Sequence, residues 1–241
     1  MHISIAAEKL STVLGLPITN SLIMSWMAMA VLIIVAFALK RTMAVVPGRF
    51  QAFVEVVFES LLNLVDSITQ DRRKTEKFLP LVLTIFLFVI TANWLSLLPG
   101  VGSIGIREEE ILVPIFRPAN TDLNNTLALA IIAVVAAHFF GLRSLGIKKH
   151  VGKFINLRGP IDFFVGLLEA IGEVSRILSF SFRLFGNMFA GEVLLLVLAS
   201  LIPFFVPIPF LGFELFVGFI QALVFAMLTL VFLTIATSEH H

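Results

Sequence analysis

Residues 161–201 read IDFFVGLLEAIGEVSRILSFSFRLFGNMFAGEVLLLVLASL, 41 positions without a proline and with only isolated glycines. Nothing in this run stops a helix, and at 1.5 Å per residue it would extend about 60 Å. That is roughly twice the hydrocarbon thickness of a bilayer. The run is too long for an upright crossing, so it is expected to lie steeply tilted. Pro203, Pro207 and Pro209 then suggest a turn, and residues 212–238 a returning helix. The fold reading works outward from this expected antiparallel hairpin.

The composition agrees with a lipid solvent. Of 241 residues 59% are hydrophobic and 14% charged, with a mean hydropathy of +1.03, too few charges to clothe a soluble globule of this size. Charge-free stretches of about 20 residues or more, enough to span a hydrocarbon core, recur at 21–39, 78–106, 123–142, 193–213 and 215–238. The strict alternation of a transmembrane barrel is absent. The fold class is therefore an all-α polytopic membrane protein, read as a single membrane domain over 1–241. Its expected parts are a first span at 20–40, an interfacial amphipathic helix at 49–70, spans at 78–98 and 122–142, a long tilted helix at 161–201 and a final tilted helix at 212–238. The interfacial helix rests on Gln51, Glu55, Glu59, Asn63, Asp66 and Gln70, which recur every three to four positions among Phe, Val and Leu.

Charge elsewhere sets orientation. Segments 40–49, 71–77 and 143–158 hold 3, 4 and 5 Lys and Arg, and the loop 100–120 holds 2. By the positive-inside rule the first three lie on the cytoplasmic side and 100–120 outside, which puts the N-terminus outside and the C-terminus inside. Residues 1–20 lack the basic start and apolar core of a cleavable signal peptide. A net charge of +1 offers no footprint for nucleic acid, and the lack of cysteine excludes disulfides and thiolate metal sites.

Within the long run, Asp162, Glu169, Glu173, Arg176, Phe180, Arg183 and Asn187 step by three, four or seven residues and so share one helical face. Glu169, Glu173 and Arg176 can satisfy one another. Arg183 cannot, because the nearest acid on that face is ten residues back, about 15 Å along the axis. An arginine stays charged even when desolvated, and at mid-membrane it needs water, a cavity or a partner. Either it pairs with another helix of this chain, whose spans offer almost no acids, or its partner is a carboxylate on another protein. His138 reads as a hydrogen-bonded packing residue rather than a ligand, and Asp122 as a helix N-cap.

The stretch SFRLFGNMFAGEV (181–193) closely resembles the signature of subunit a of F-type rotary ATP synthases. The resemblance extends to NTDLNNTLALA (120–130), VPIPF (206–210), IQALVFAMLTLVFL (220–233) and the terminal His-His. It covers nearly the whole chain from about residue 78, and the N-terminal third agrees in layout more than in motif. FGNMFAGE is similar to bacterial sequences and VPIP to the chloroplast and cyanobacterial branch, so the energy-coupling membrane is a bacterial plasma membrane or a thylakoid. The resemblance implies a non-catalytic stator with two offset ion half-channels, working against a ring of subunit c and held by the peripheral stalk subunit b. Arg183 matches the essential arginine that meets the ring carboxylates. Asn187 matches a lining residue, Glu192 a relay acid, Asp122 an acid at the outer mouth, and Gln221 a glutamine near the arginine. Glu214 stands where some relatives have His, a departure that keeps a titratable group. No cofactor, metal or nucleic acid is implied. The ion, proton or sodium, is selected on the ring. The rival class, a stand-alone channel or secondary transporter, would ordinarily show broken helices or repeats, and neither is found.

Overall fold

In the computed structural model, residues 7–13, 15–98, 101, 105–108, 111–147, 152, 159–202 and 206–238 are described. The expected loop and terminus features at Pro99-Gly100, Glu109, Glu110, Lys148, Lys149, Lys153, Arg158, Pro203 and the terminal histidines lie outside them.

Six long helices carry these residues: α1 (Asn20–Thr42), α2 (Arg49–Thr69), α3 (Arg72–Ser96), α4 (Leu123–Leu145), α5 (Pro160–Leu201) and α6 (Pro207–Thr237). All except α2 are long and apolar enough to cross a membrane. α5 is an unbroken helix of 42 residues, about 63 Å long, as the proline-free run requires. Its length is about twice the hydrocarbon thickness of a bilayer.

Several boundaries differ from the sequence reading, for local reasons. α3 begins at Arg72, not 78, because the Asp71 carboxylate accepts the Arg73 amide (2.9 Å) and caps the helix. The basic run is then helical, with Arg72 held between Asp66 (2.6 Å) and Glu76 (3.4 Å). α6 begins at Pro207, not 212. Pro207 and Pro209 open the helix instead of making its preceding turn, since first-turn amides need no intrahelical acceptor. α4 runs on to Leu145 and stops at Gly146, whose φ of 79° is open to glycine at little cost.

Two short antiparallel hairpins, absent from the sequence reading, pair β1 (Lys9–Val13) with β2 (Leu16–Thr19) and β3 (Gly105–Glu108) with β4 (Ile111–Pro114). Strands of four or five residues that pair only with each other are too short to carry a periodic signature.

α2 is amphipathic, but not with all its polar residues in water. Gln51 is buried, where its amide takes the Ala44 N–H and donates to the Ala44 carbonyl, both at 3.1 Å. It closes the Pro47-Gly48 corner. Phe50, Phe53, Val56 and Phe58 are exposed. At the other end Gln70 adopts the left-handed conformation (φ 51°) and its N–H returns to the Asp66 carbonyl. The Asp66 carboxyl is held below its ordinary pKa, first by the Thr75 hydroxyl and, against a smaller opposing effect of burial, also by Arg72.

α3, α4, α5 and α6 enclose the main core. Phe78, Val82, Phe86 and Val89 of α3 meet Ala222, Phe225, Ala226 and Leu230 of α6, while Ala130, Ala133 and Ala137 line α4. The alanine stripes let the backbones approach, which is how helices gain packing energy where apolar burial supplies none. Phe180 of α5 sits between the rings of Phe225 (5.2 Å) and Phe232 (5.1 Å). α1 rests on α3 and the short 3-10 turn η1 (Ala119–Thr121) through Met24, Ala28, Ala92 and Ala119.

The face shared by Asp162 through Asn187 does not stay together. Phe180 is buried, Glu173 and Arg176 are half-buried, and Asp162, Arg183 and Asn187 are exposed. The contact seam of α5 passes through Phe180, Leu184, Met188 and Gly191, with Ser181 beside it. It runs obliquely to the straight stripe, so residues on the stripe's edge leave the interface.

Candidate functional site

Asp122 is both a cap and a tie. One carboxylate oxygen accepts the Asn124 amide (2.9 Å) at the start of α4, and the other accepts the Ser21 hydroxyl of α1 (2.6 Å). The residue is buried. The cap reading of the sequence holds, and Ser21 adds a partner 101 positions away.

Two residues before η1 lies a less anticipated group. The Arg117 side chain, only 7% exposed, acts electrostatically on the Glu192 carboxylate, while the Thr121 hydroxyl donates to the Pro118 carbonyl at 3.0 Å. Sequence reasoning placed Arg117 only in the loop 100–120, on the outer side. Its one local signal was its nearness to the Asp122 motif, and nothing in a linear reading says that the loop folds back onto α5.

Glu214, in the second turn of α6, is buried and lies against Gly191, the residue before Glu192. A Cβ on Gly191 would overlap the Glu214 carboxylate outright. The chain therefore brings the two predicted acids to one stretch of α5, Glu192 on its side chain and Glu214 on the adjacent glycine. One oxygen of each, Glu192 Oε2 and Glu214 Oε1, is buried with no hydrogen-bond partner among the described residues.

Arg183 faces the other way. It is exposed, and its only hydrogen bond among the described residues goes to Ser179 Oγ at 3.4 Å; no carboxylate pairs with it there. Further along the same face of α5 the exposed Leu194 and Val197 follow. Asn187, one turn on from Arg183, is exposed as well. Gln221 is half-buried on α6, two turns from Glu214, and no hydrogen bond joins it to Arg183.

Of the charges earlier on α5, Glu173 and Arg176 pair with each other. Arg176 bonds Glu173 (2.5 Å) and lies over the Phe232 ring (4.9 Å), while His138 Nε2 of α4 is 3.6 Å from Glu173. This is the structural pairing expected for Glu173 and Arg176, and it gives His138 a partner across the α4–α5 contact. Among the described residues no group of His, Asp and Glu is arranged to hold a metal ion.

Residues 22–234 match the family described as ATP synthase A chain. ATP synthase subunit a of Geotalea daltonii is 33% identical over 90% of this chain and 87% of its own. The subunit a of Desulforamulus reducens is 33% identical over 97% and 87%, and that of Geobacter sulfurreducens 34% over 90% and 87%. The chain belongs to the ATP synthase A chain family, the non-catalytic, proton-translocating membrane subunits of the Fo sector.

Proposed function

We propose that this chain is one membrane domain forming two offset proton half-channels, with Arg183 between them facing the carboxylates of a rotor ring of subunit c. The observation that carries this reading is the placement of Arg183. A permanent cation stands on the exposed, apolar side of α5 with no carboxylate partner among the described residues. A membrane arginine is costly unless a partner or water meets it, and a ring carboxylate arriving at this face supplies the partner. The cation favours the ionised form of that carboxylate and bars a direct proton leak between the half-channels.

On the other flank, Glu192 and Glu214 serve as relay acids for the outer half-channel, entered past Asp122. Asn187 and Gln221 line the approach to the ring. The amphipathic α2 and the exposed flank of α1 are available to lipid and to the peripheral stalk subunit b. The orientation follows the basic loops, N-terminus outside and C-terminus on the cytoplasmic side of a bacterial energy-coupling membrane.

The test is to replace Arg183 by Ala and by Lys in the assembled enzyme and to measure proton-driven ATP synthesis. Synthesis is expected to vanish for Arg183→Ala and to fall at least about a hundredfold for Arg183→Lys, because a compact ammonium does not reproduce the planar guanidinium. Normal coupling in the alanine variant would sink the reading. It would favour a self-contained channel or transporter.

A further inference from the structure

Asn93 lies near the end of α3 and is 1% exposed. Its Nδ2 donates to the Gly218 carbonyl of α6 at 3.0 Å. A backbone carbonyl only accepts, so this bond fixes which way the amide points and leaves Oδ1 facing η1. There Asn120 Nδ2 donates to it at 2.6 Å. Asn120 Oδ1 in turn accepts from Asn125 Nδ2 (3.0 Å), and Asn125 Oδ1 shares the single hydroxyl proton of Ser25 on α1 (3.3 Å) with the Ser21 carbonyl (3.1 Å). One carbonyl on α6 thus sets the orientation of three amides on η1, α4 and α3. Reversing any one of them breaks its neighbours' bonds.

The chain ends one helical turn beyond Glu214. Next to it the Trp94 indole donates to the Leu215 carbonyl at 3.1 Å. Both carbonyls lie in the turn that follows Glu214. Gly218 permits this approach, since a Cβ there would come within 3.2 Å of Asn93 Cβ.

We propose that the Ser25–Asn125–Asn120–Asn93 chain sets the rotation and depth of α6 so that the Glu214 carboxylate rests on Gly191. Asn93 is then a positioning residue for Glu214. The functional consequence rests on the reading of Glu214 as a proton relay; the bracing does not. Carboxamides suit the task because they donate and accept without taking up or releasing a proton in the physiological range. They hold α6 and add no stop on the route. Displacing a relay group by about 1 Å costs up to about a hundredfold in transfer.

The test uses Asn93→Asp and Asn93→Leu in the assembled complex, with Glu214→Gln beside them. Passive proton conduction through membranes stripped of F1 and the temperature at which the solubilised complex releases this chain are both read from pH 5.5 to 8. In Asn93→Asp an ionised carboxylate opposes the Gly218 carbonyl, whereas the protonated form donates to it again. The other ionisable groups near this end are Glu214 on α6, Glu192 on α5, Arg117 and Asp122 flanking η1, and Glu8 beside Asn20. All are shared with Asn93→Leu, so the difference between the two variants isolates the bond.

The expected result for Asn93→Asp is conduction reduced about tenfold or more at pH 8 and restored to within about twofold of the parent at pH 5.5, with the release temperature following. Asn93→Leu stays low throughout. Parallel pH profiles for the two variants overturn the proposal. So does conduction indifferent to both when Glu214→Gln blocks it. If Glu214→Gln conducts like the parent, the relay reading fails instead. The brace is then scored by release temperature alone, where equal trends for Asp and Leu overturn it.

Discussion

Gly191 has no side chain, and Glu214 occupies the space that one would fill. This makes the glycine as specific as the acid it receives. Gly191→Ala adds little strain to a helix by itself and lowers the intrinsic cost by about 0.8–1 kcal/mol, yet it displaces the Glu214 carboxylate. The expected outcome is an assembled complex whose passive proton conduction falls at least about tenfold. Parent-like conduction would show that Glu214 has no need of this seat. Glu192, Glu214, Asp122 and Arg183 were all legible as residue types in unusual places. Their neighbours were less so: Arg117 and Ser21 sit in stretches whose composition is ordinary, and only the fold brings them to Glu192 and Asp122.

At the scale of elements, the α2–α3 corner gathers Asp66, Thr69, Gln70, Asp71, Arg72 and Thr75 within a few residues, with Thr69 and Thr75 hydroxyls 2.5 Å apart. Asp66 has a lowered folded pKa, set first by Thr75 and further by Arg72. Its support is therefore present above the ordinary carboxylate range and is lost as pH falls through the lowered value. Asp66→Asn removes that acid-side dependence. Amide hydrogen exchange across residues 66–76 is expected to quicken on acidification in the parent, after correction for intrinsic rates, and to lose this trend in the variant. At the same corner Gln70 adopts a φ of 51° without being glycine. Gln70→Gly should raise the unfolding free energy by about 0.5–1 kcal/mol, read as a higher thermal midpoint. The helices themselves were readable from apolar length. Their ends were not, because capping by Asp71 and first-turn prolines at 207 and 209 are local geometric choices that hydropathy does not register.

For the whole molecule the chain offers a clean assay of orientation, since it has no cysteine. Val45 lies in the corner between α1 and α2 and is fully exposed; Leu98, beyond α3, is exposed as well. With Val45→Cys and Leu98→Cys made separately, a membrane-impermeant maleimide is expected to label the first from the cytoplasmic face only. The second should be labelled only from the opposite face. The reverse pattern would invert the topology drawn from the basic loops. The sequence by itself determined the class of the molecule, its membrane helices, the isolation of Arg183 along its own helix and the family resemblance. These depend on composition, period and order, which a linear chain displays. Only the tertiary structure decided that α5's contact seam crosses its polar stripe and leaves Arg183 outside, that the buried Arg117 acts on Glu192, and that an asparagine chain across four elements ends on α6. Each of these depends on the angle and depth at which helices meet, quantities set by packing between segments tens to more than a hundred residues apart.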